Sequence, residues 1–183
     1  IYTDLYPDRE ERWEYIPKTL IFAKNDKHAD EILTAVKEVF GEKFINDIVP
    51  SEFVQKITYS AGDSNQLIRN FRIDKNFRIA ITVTLVATGT DVKPLEVVMF
   101  MADVKSDVLY TQMKGRGCRT IKSDKLKEIT PNAEFKECFY IVDAVGVTSS
   151  EKIIPRIVAG KQKKLSLKDL IEHLCHGEVS DEN

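Results

Sequence analysis

Residues 18–41 read KTLIFAKNDKHADEILTAVKEVFG, and the fold class can be read outward from this stretch. Lys18–Ala23 is a short, mostly apolar run without polar alternation, the pattern of a strand covered on both faces. Asn25 or Asp26 then caps a helix, because Ala29, Ile32, Leu33, Val36, Val39 and Phe40 recur at spacings of three and four. Gly41 stops it. The same strand-then-helix unit returns further along. Val54–Tyr59 (VQKITY) predicts a second strand, and Asp63 or Ser64 caps a shorter helix with Leu67, Ile68 and Phe71 on one face. Phe77–Val83 (FRIAITV) and Val97–Met101 (VVMFM) predict two more buried strands, joined by a Gly- and Thr-containing loop from Thr84 to Pro94. Ser106 opens a helix reaching about Arg116, and Phe139–Val142 (FYIV) supplies a last strand. Continuous apolar strands separated by amphipathic helices predict a three-layer α/β domain: a mostly parallel sheet with helices on both faces. Its crossovers are expected to be right-handed, with active groups at the carboxyl ends of the strands.

The flanks differ in pattern. Residues 1–17 mix charges with Trp13, Tyr15 and two prolines, without periodicity, and read as a lead-in segment. After Val145, Gly146–Ser150 and Pro155 interrupt the pattern, followed by a basic run at Lys161, Lys163 and Lys164. Ser166–Asp169 has the shape of a capping box opening a helix over Leu167–Cys175. The expected division is therefore 1–17 lead-in, 18–145 α/β domain, and 146–183 linker plus a short helical C-terminal extension.

The 183 residues carry 27 Lys+Arg against 29 Asp+Glu, a net charge of −2, and are 43% hydrophobic. That composition is an ordinary globule's and excludes disorder over the whole length as well as collagen-like and coiled-coil chains. The longest apolar run, Ile79–Ala87, is interrupted by two threonines and falls short of the ~18–20 residues that cross a bilayer; no membrane partner is expected. A near-neutral balance supplies no whole-surface basic field, so any DNA contact must rest on a local patch. Cys118, Cys138 and Cys175 are far apart with no CxxC pair, as suits free thiols in a reducing cytoplasm. His173 and His176, on either side of Cys175, lack a second ligand pair and read as a solvated helix end, so no metal site is expected in the chain. Ile1 is not an initiator Met and no basic-then-apolar leader follows it, so the chain reads as a piece of a longer protein.

Two constellations carry chemistry. In Ala87-Thr-Gly-Thr-Asp91-Val-Lys-Pro94, after the Phe77–Val83 strand, Gly89 permits close backbone approach, Asp91 offers a carboxylate and Pro94 fixes the exit. The same residues equally suit a β-turn loop with a Thr or Asp cap. In Gln112-x-x-Gly115-Arg116-x-x-Arg119, helical spacing puts Gln112, Arg116 and Arg119 on one face, with Gly115 clearing space beside them. Two arginines and an amide suit a polyanion such as a triphosphate, because each guanidinium fork reaches two phosphate oxygens. A solvated charged helix end is the plainer reading. No GxxxxGK[ST] occurs, so the chain has no P-loop phosphate cradle.

Together, LVATGTDVKPLEVVMFM and LYTQMKGRGCRT resemble motifs V and VI of superfamily 2 helicases and translocases, most of all the motor (R) subunit of type I restriction enzymes. KTLIFAKNDKHADEI looks like that family's motif IV, and FYIVDAVG like the stretch closing its second RecA-like domain. The resemblance spans residues 18–145 and implies a RecA-like lobe closing over ATP and Mg²⁺ held by the first lobe of the same chain; the fragment alone would bind neither and would be inactive. Gly89 and Asp91 then line the nucleotide, Gln112 links nucleotide state to closure, and Arg116 and Arg119 act on the phosphates, Arg119 as the finger. Thr84 and Thr88 fall to DNA-phosphate contact, although the family's usual threonine position is Val83 here. Double-stranded DNA and modification and specificity subunits are the implied partners of the full-length enzyme. Another superfamily 2 motor, such as a nucleotide-excision-repair helicase, and a non-catalytic α/β binding module are the alternatives.

Overall fold

A computed structural model describes residues 2–44, 46, 48–57, 64–83 and 91–153. Five strands, β1 (Thr19–Phe22), β2 (Val54–Lys56), β3 (Ile79–Thr82), β4 (Val97–Phe100) and β5 (Tyr140–Asp143), form one sheet in the order β2-β3-β1-β4-β5. Every pairing is parallel. The helices are α1 (Tyr2–Leu5), α2 (Asp26–Gly41), α3 (Ser64–Ile73), α4 (Asp107–Gly115) and α5 (Ser123–Ile129).

The apolar strands split their side chains between two cores, as the alternation of a pleated strand requires. Leu20, Phe22, Ala80, Val98 and Phe100 point to one face, where they meet Ile68 and Phe71 of α3 and Met113 of α4. Ile21, Ile79 and Ile81 point to the other, against Ala29, Ile32 and Phe40 of α2. The result is the three-layer α/β fold expected, with helices on both faces. Asn25 caps α2 by accepting from the His28 amide at 2.8 Å. Among the described residues no helix is long and apolar enough to cross a membrane.

β1 and β3 begin one and two residues inside the runs that announce them, β1, β3 and β4 each end one residue early, and charged residues stand at the amino edge of all three. Lys18, Arg78 and Glu96 immediately precede β1, β3 and β4, and Thr19 pairs with both Ile79 and Val97, so the three form a row across the sheet. All three are fully buried. Lys18 Nζ donates to the carbonyls of Phe71, Asp74 and Phe77 at 2.7, 2.8 and 2.6 Å. Arg78 donates to Ile16 O at 2.8 Å, Ile129 O at 2.8 Å and Thr130 Oγ1 at 2.9 Å. Glu96 Oε1 pairs with Arg9 Nη2 at 2.5 Å. Burial pushes the Lys18 amine well below its ordinary value, and neighbouring Arg78 pushes the same way.

The lead-in segment is more ordered than its lack of periodicity predicts. Trp13 packs edge-on against Phe40 and Tyr6 against Tyr140, and Ile16 is buried. The helix α5 was not predicted: Leu126 is its only buried residue, so no apolar stripe marks it. Beyond β5, Val147 is buried and Ile153 bridges to Ser106. The predicted helix over Leu167–Cys175 and the His173–His176 pair lie outside the described residues, as does Asp63.

Candidate functional site

The site is built by the return of α4. Ser106, just beyond the carboxyl end of β4, caps that helix by accepting from the Leu109 amide at 3.3 Å. Met113 is buried, with Leu109 and Tyr110 packed beside it, so the helix lies on the sheet and runs back toward the amino edge. Its end meets the segment leading into β5. Phe139 presses on Gly117, and Lys136 Nζ donates to Gly117 O at 2.8 Å and Arg119 O at 2.7 Å. The arginines therefore sit at the amino edge, not at the carboxyl ends of strands where active groups were expected. The reason is geometric: a helix that follows a strand and packs antiparallel to it delivers its C-terminus to the opposite edge.

The helical face expected to hold Gln112, Arg116 and Arg119 is broken. The helix ends at Gly115, and Arg116, Gly117 and Cys118 close the chain with three-residue backbone bonds to Met113 O, Lys114 O and Gly115 O. Gln112 and Arg116 remain one turn apart, whereas Arg119 leaves the helix altogether. It nevertheless reaches Asp91: Arg119 Nε lies 3.5 Å from Asp91 Oδ1, a charge contact rather than a good hydrogen bond. Arg116 shares that neighbourhood. Burial and the adjacent Arg119 lower its proton affinity, and Asp91 pulls the other way. Gln112 is exposed.

Gly115 is expected to clear space beside the arginines, and a Cβ there would meet no protein atom within 4 Å, so the space next to it is open. Gly117 is the constrained one, since its Cβ would fall 2.1 Å from Phe139 Cδ2. No local pattern could have revealed this, because the partner is more than twenty residues away. Lys136 was missed for the same reason. Besides its two bonds to the turn it donates to Lys93 O at 3.0 Å, two residues from Asp91. Burial pushes the Lys136 ammonium down, while Glu96, Cys118, Cys138 and Asp91 pull it up.

A groove of about 780 Å³ flanks the pair, lined by Asp91, Lys93, Thr120, Lys122 and Lys125 among others. Arg119 and Asp91 keep 65% and 42% of their side-chain surface exposed, so their contact is worth about 0–1 kcal/mol and is readily exchanged. Among the described residues no three His, Cys, Asp or Glu side chains converge as a metal site would require. A lone carboxylate, Asp91, does not fit a divalent cation by itself. Gly89, Thr84 and Thr88 lie outside the described residues.

No family model matches the chain. It is 27% identical over 170 residues to the type I restriction enzyme EcoKI endonuclease subunit of Escherichia coli K12. That match takes in 88% of this chain and 13% of the relative, so the chain spans about an eighth of that protein's length. Among solved structures, the C-terminal domain of S. cerevisiae Dbp5 L327V, bound to Gle1 H337R and IP6, superposes with a TM-score of 0.43 and 16% identity. That superposition covers 77% of this chain and 79% of the other, a likeness of chain path too loose to bear on function.

Proposed function

We propose that the chain is the second RecA-like motor lobe of an ATP-driven double-stranded DNA translocase, of the kind found in the restriction subunit of type I restriction enzymes. The observation that carries this reading is the Asp91–Arg119 contact at one exposed edge of a parallel sheet, with Arg116 near enough to feel both charges. The similarity to an endonuclease subunit of a type I restriction enzyme supports it. In this reading the full-length protein is an ATP-dependent translocase and endonuclease working with modification and specificity subunits. The first lobe of the same chain holds ATP and Mg²⁺; bound there, the metal neutralises phosphate charge.

What this lobe adds is positive charge on demand. Arg119 rests against Asp91 through a weak contact between two partly exposed side chains. When the lobes close, a triphosphate competes with that single carboxylate and offers more charge and more acceptor oxygens. Arg119 therefore exchanges partners at little cost, and its fork stabilises charge that develops as the phosphoryl group transfers. Arg116, more buried, stays in place and adds to the field. Gly89 would line the nucleotide, Gln112 would couple nucleotide state to closure, and Thr84 and Thr88 would touch DNA phosphates. Such a grip follows the backbone and reads no bases.

The test is DNA-stimulated ATP hydrolysis by the full-length protein. Arg119→Ala is expected to lower turnover by roughly 10³–10⁵ while leaving ATP binding nearly intact, because the group acts on the transition state. Arg119→Lys fails almost as badly, since a point charge cannot replace a planar fork. Lys27→Ala, on an exposed face of α2, is the control. Near-wild-type turnover in Arg119→Ala would end the reading of Arg119 as a finger.

A further inference from the structure

We infer that Lys136 is the positioning residue that holds the Asp91-bearing segment and the Arg119-bearing turn in one geometry; this rests on the function proposed above. Three stretches of chain meet at its ammonium. Lys93 belongs to the segment that follows Asp91 into β4, Gly117 and Arg119 belong to the turn after α4, and Lys136 lies on the approach to β5. The bonds are 3.0, 2.8 and 2.7 Å long. An ammonium has three N–H donors, and all three are used. Lys136 therefore has no donor left for a phosphate. It acts through the backbone.

The arrangement is selective in what it fixes. Arg119 is held by its carbonyl, while its side chain stays 65% exposed on a weak contact. The main chain is anchored and the side chain is left free to exchange partners. Phe139 on Gly117 anchors the same turn from the adjacent position, and Tyr140 pairs with Val97 to tie the lysine's own segment to the sheet. With the ammonium removed, the turn and the Asp91 segment lose their common tether, although the sheet beneath is intact.

The experiment uses the full-length protein in two parts. In the first, ATP turnover is measured for Lys136→Ala, Lys136→Met, Arg119→Ala and the Lys136→Ala/Arg119→Ala pair. Displacing a catalytic group by about an ångström costs up to ~10²-fold, so either Lys136 variant is expected to lose roughly 10–100-fold in kcat with little change in KM for ATP. If Lys136 acts through Arg119, the double variant falls barely below Arg119→Ala; a merely structural lysine multiplies the two losses instead. Full multiplicativity overturns the inference. In the second part, hydrogen exchange is followed at the amides of residues 117–120. Lys136→Met keeps the stem, and it is expected to raise exchange there while β1, β3 and β4 stay protected. Unchanged exchange at the turn overturns the tether whatever the enzyme does, whereas an inactive wild type with the tether intact would sink only the proposed function.

Discussion

Gly117 shows how one missing methyl group shapes this site. A Cβ there would overlap an aromatic ring that cannot swing clear without leaving its own packing, because Phe139 borders the core of buried residues. Overpacking of this kind costs about 1–3 kcal/mol. Gly117→Ala is therefore expected to lower the melting temperature, and Gly115→Ala, where a Cβ meets nothing within 4 Å, to leave it unchanged or raise it slightly. Thermal unfolding of the two single variants decides the matter: equal shifts would mean that the ring yields. Both glycines stand in the same short motif, and the sequence alone does not show which of them a distant side chain presses on.

At the scale of elements, the turn after β5 depends on one carboxylate. Asp143 Oδ1 accepts from the amides of Val145 and Val147 at 3.1 and 2.9 Å, and Oδ2 accepts from the Thr148 amide and hydroxyl at 2.8 and 2.7 Å. Gly146 inside the loop has a φ of +78°, a conformation other residues rarely adopt. The four donors, Thr148's first among them, hold the Asp143 carboxyl well below the usual carboxylate range. A depressed folded-state pKa means that the unfolded chain binds the proton more readily. The stabilisation is thus present above the unfolded value of about 3.9 and is lost as pH falls below it toward the folded value. Asp143→Asn is expected to melt at a lower temperature than wild type at pH 7, the gap narrowing below about pH 4. A gap that stays constant with pH would show that the charge on Asp143 is not what holds the turn.

As a second motor lobe, the whole molecule is half of a machine. Its 183 residues contain no GxxxxGK[ST] sequence to cradle the β- and γ-phosphates. Arg116 and Arg119 can stabilise a charge only where something else has placed it. The isolated chain is accordingly expected to hydrolyse no ATP, with or without DNA. Turnover that survives ion exchange and scales with protein concentration would refute the proposal at its root.

Much of this architecture was legible in the sequence because its causes are local. Apolar runs at 19–22, 79–82 and 97–100, the Asn25 and Ser106 caps and the stripe of α2 follow from periodicity and capping, which act within a few residues. The arginines and Asp91 were legible too, as residue types at a recognisable spacing. Three things were settled only by tertiary structure. The antiparallel return of α4 put the site at the amino edge of the sheet. The early end of that helix took Arg119 off the shared face and still brought it to Asp91. The buried row Lys18, Arg78 and Glu96, like the Lys136 tether, joins charges to carbonyls and carboxylates dozens of residues away. Periodicity cannot encode such contacts, because hydrogen bonds to a distant main chain place no demand on the neighbouring residues of the lysine or arginine that makes them.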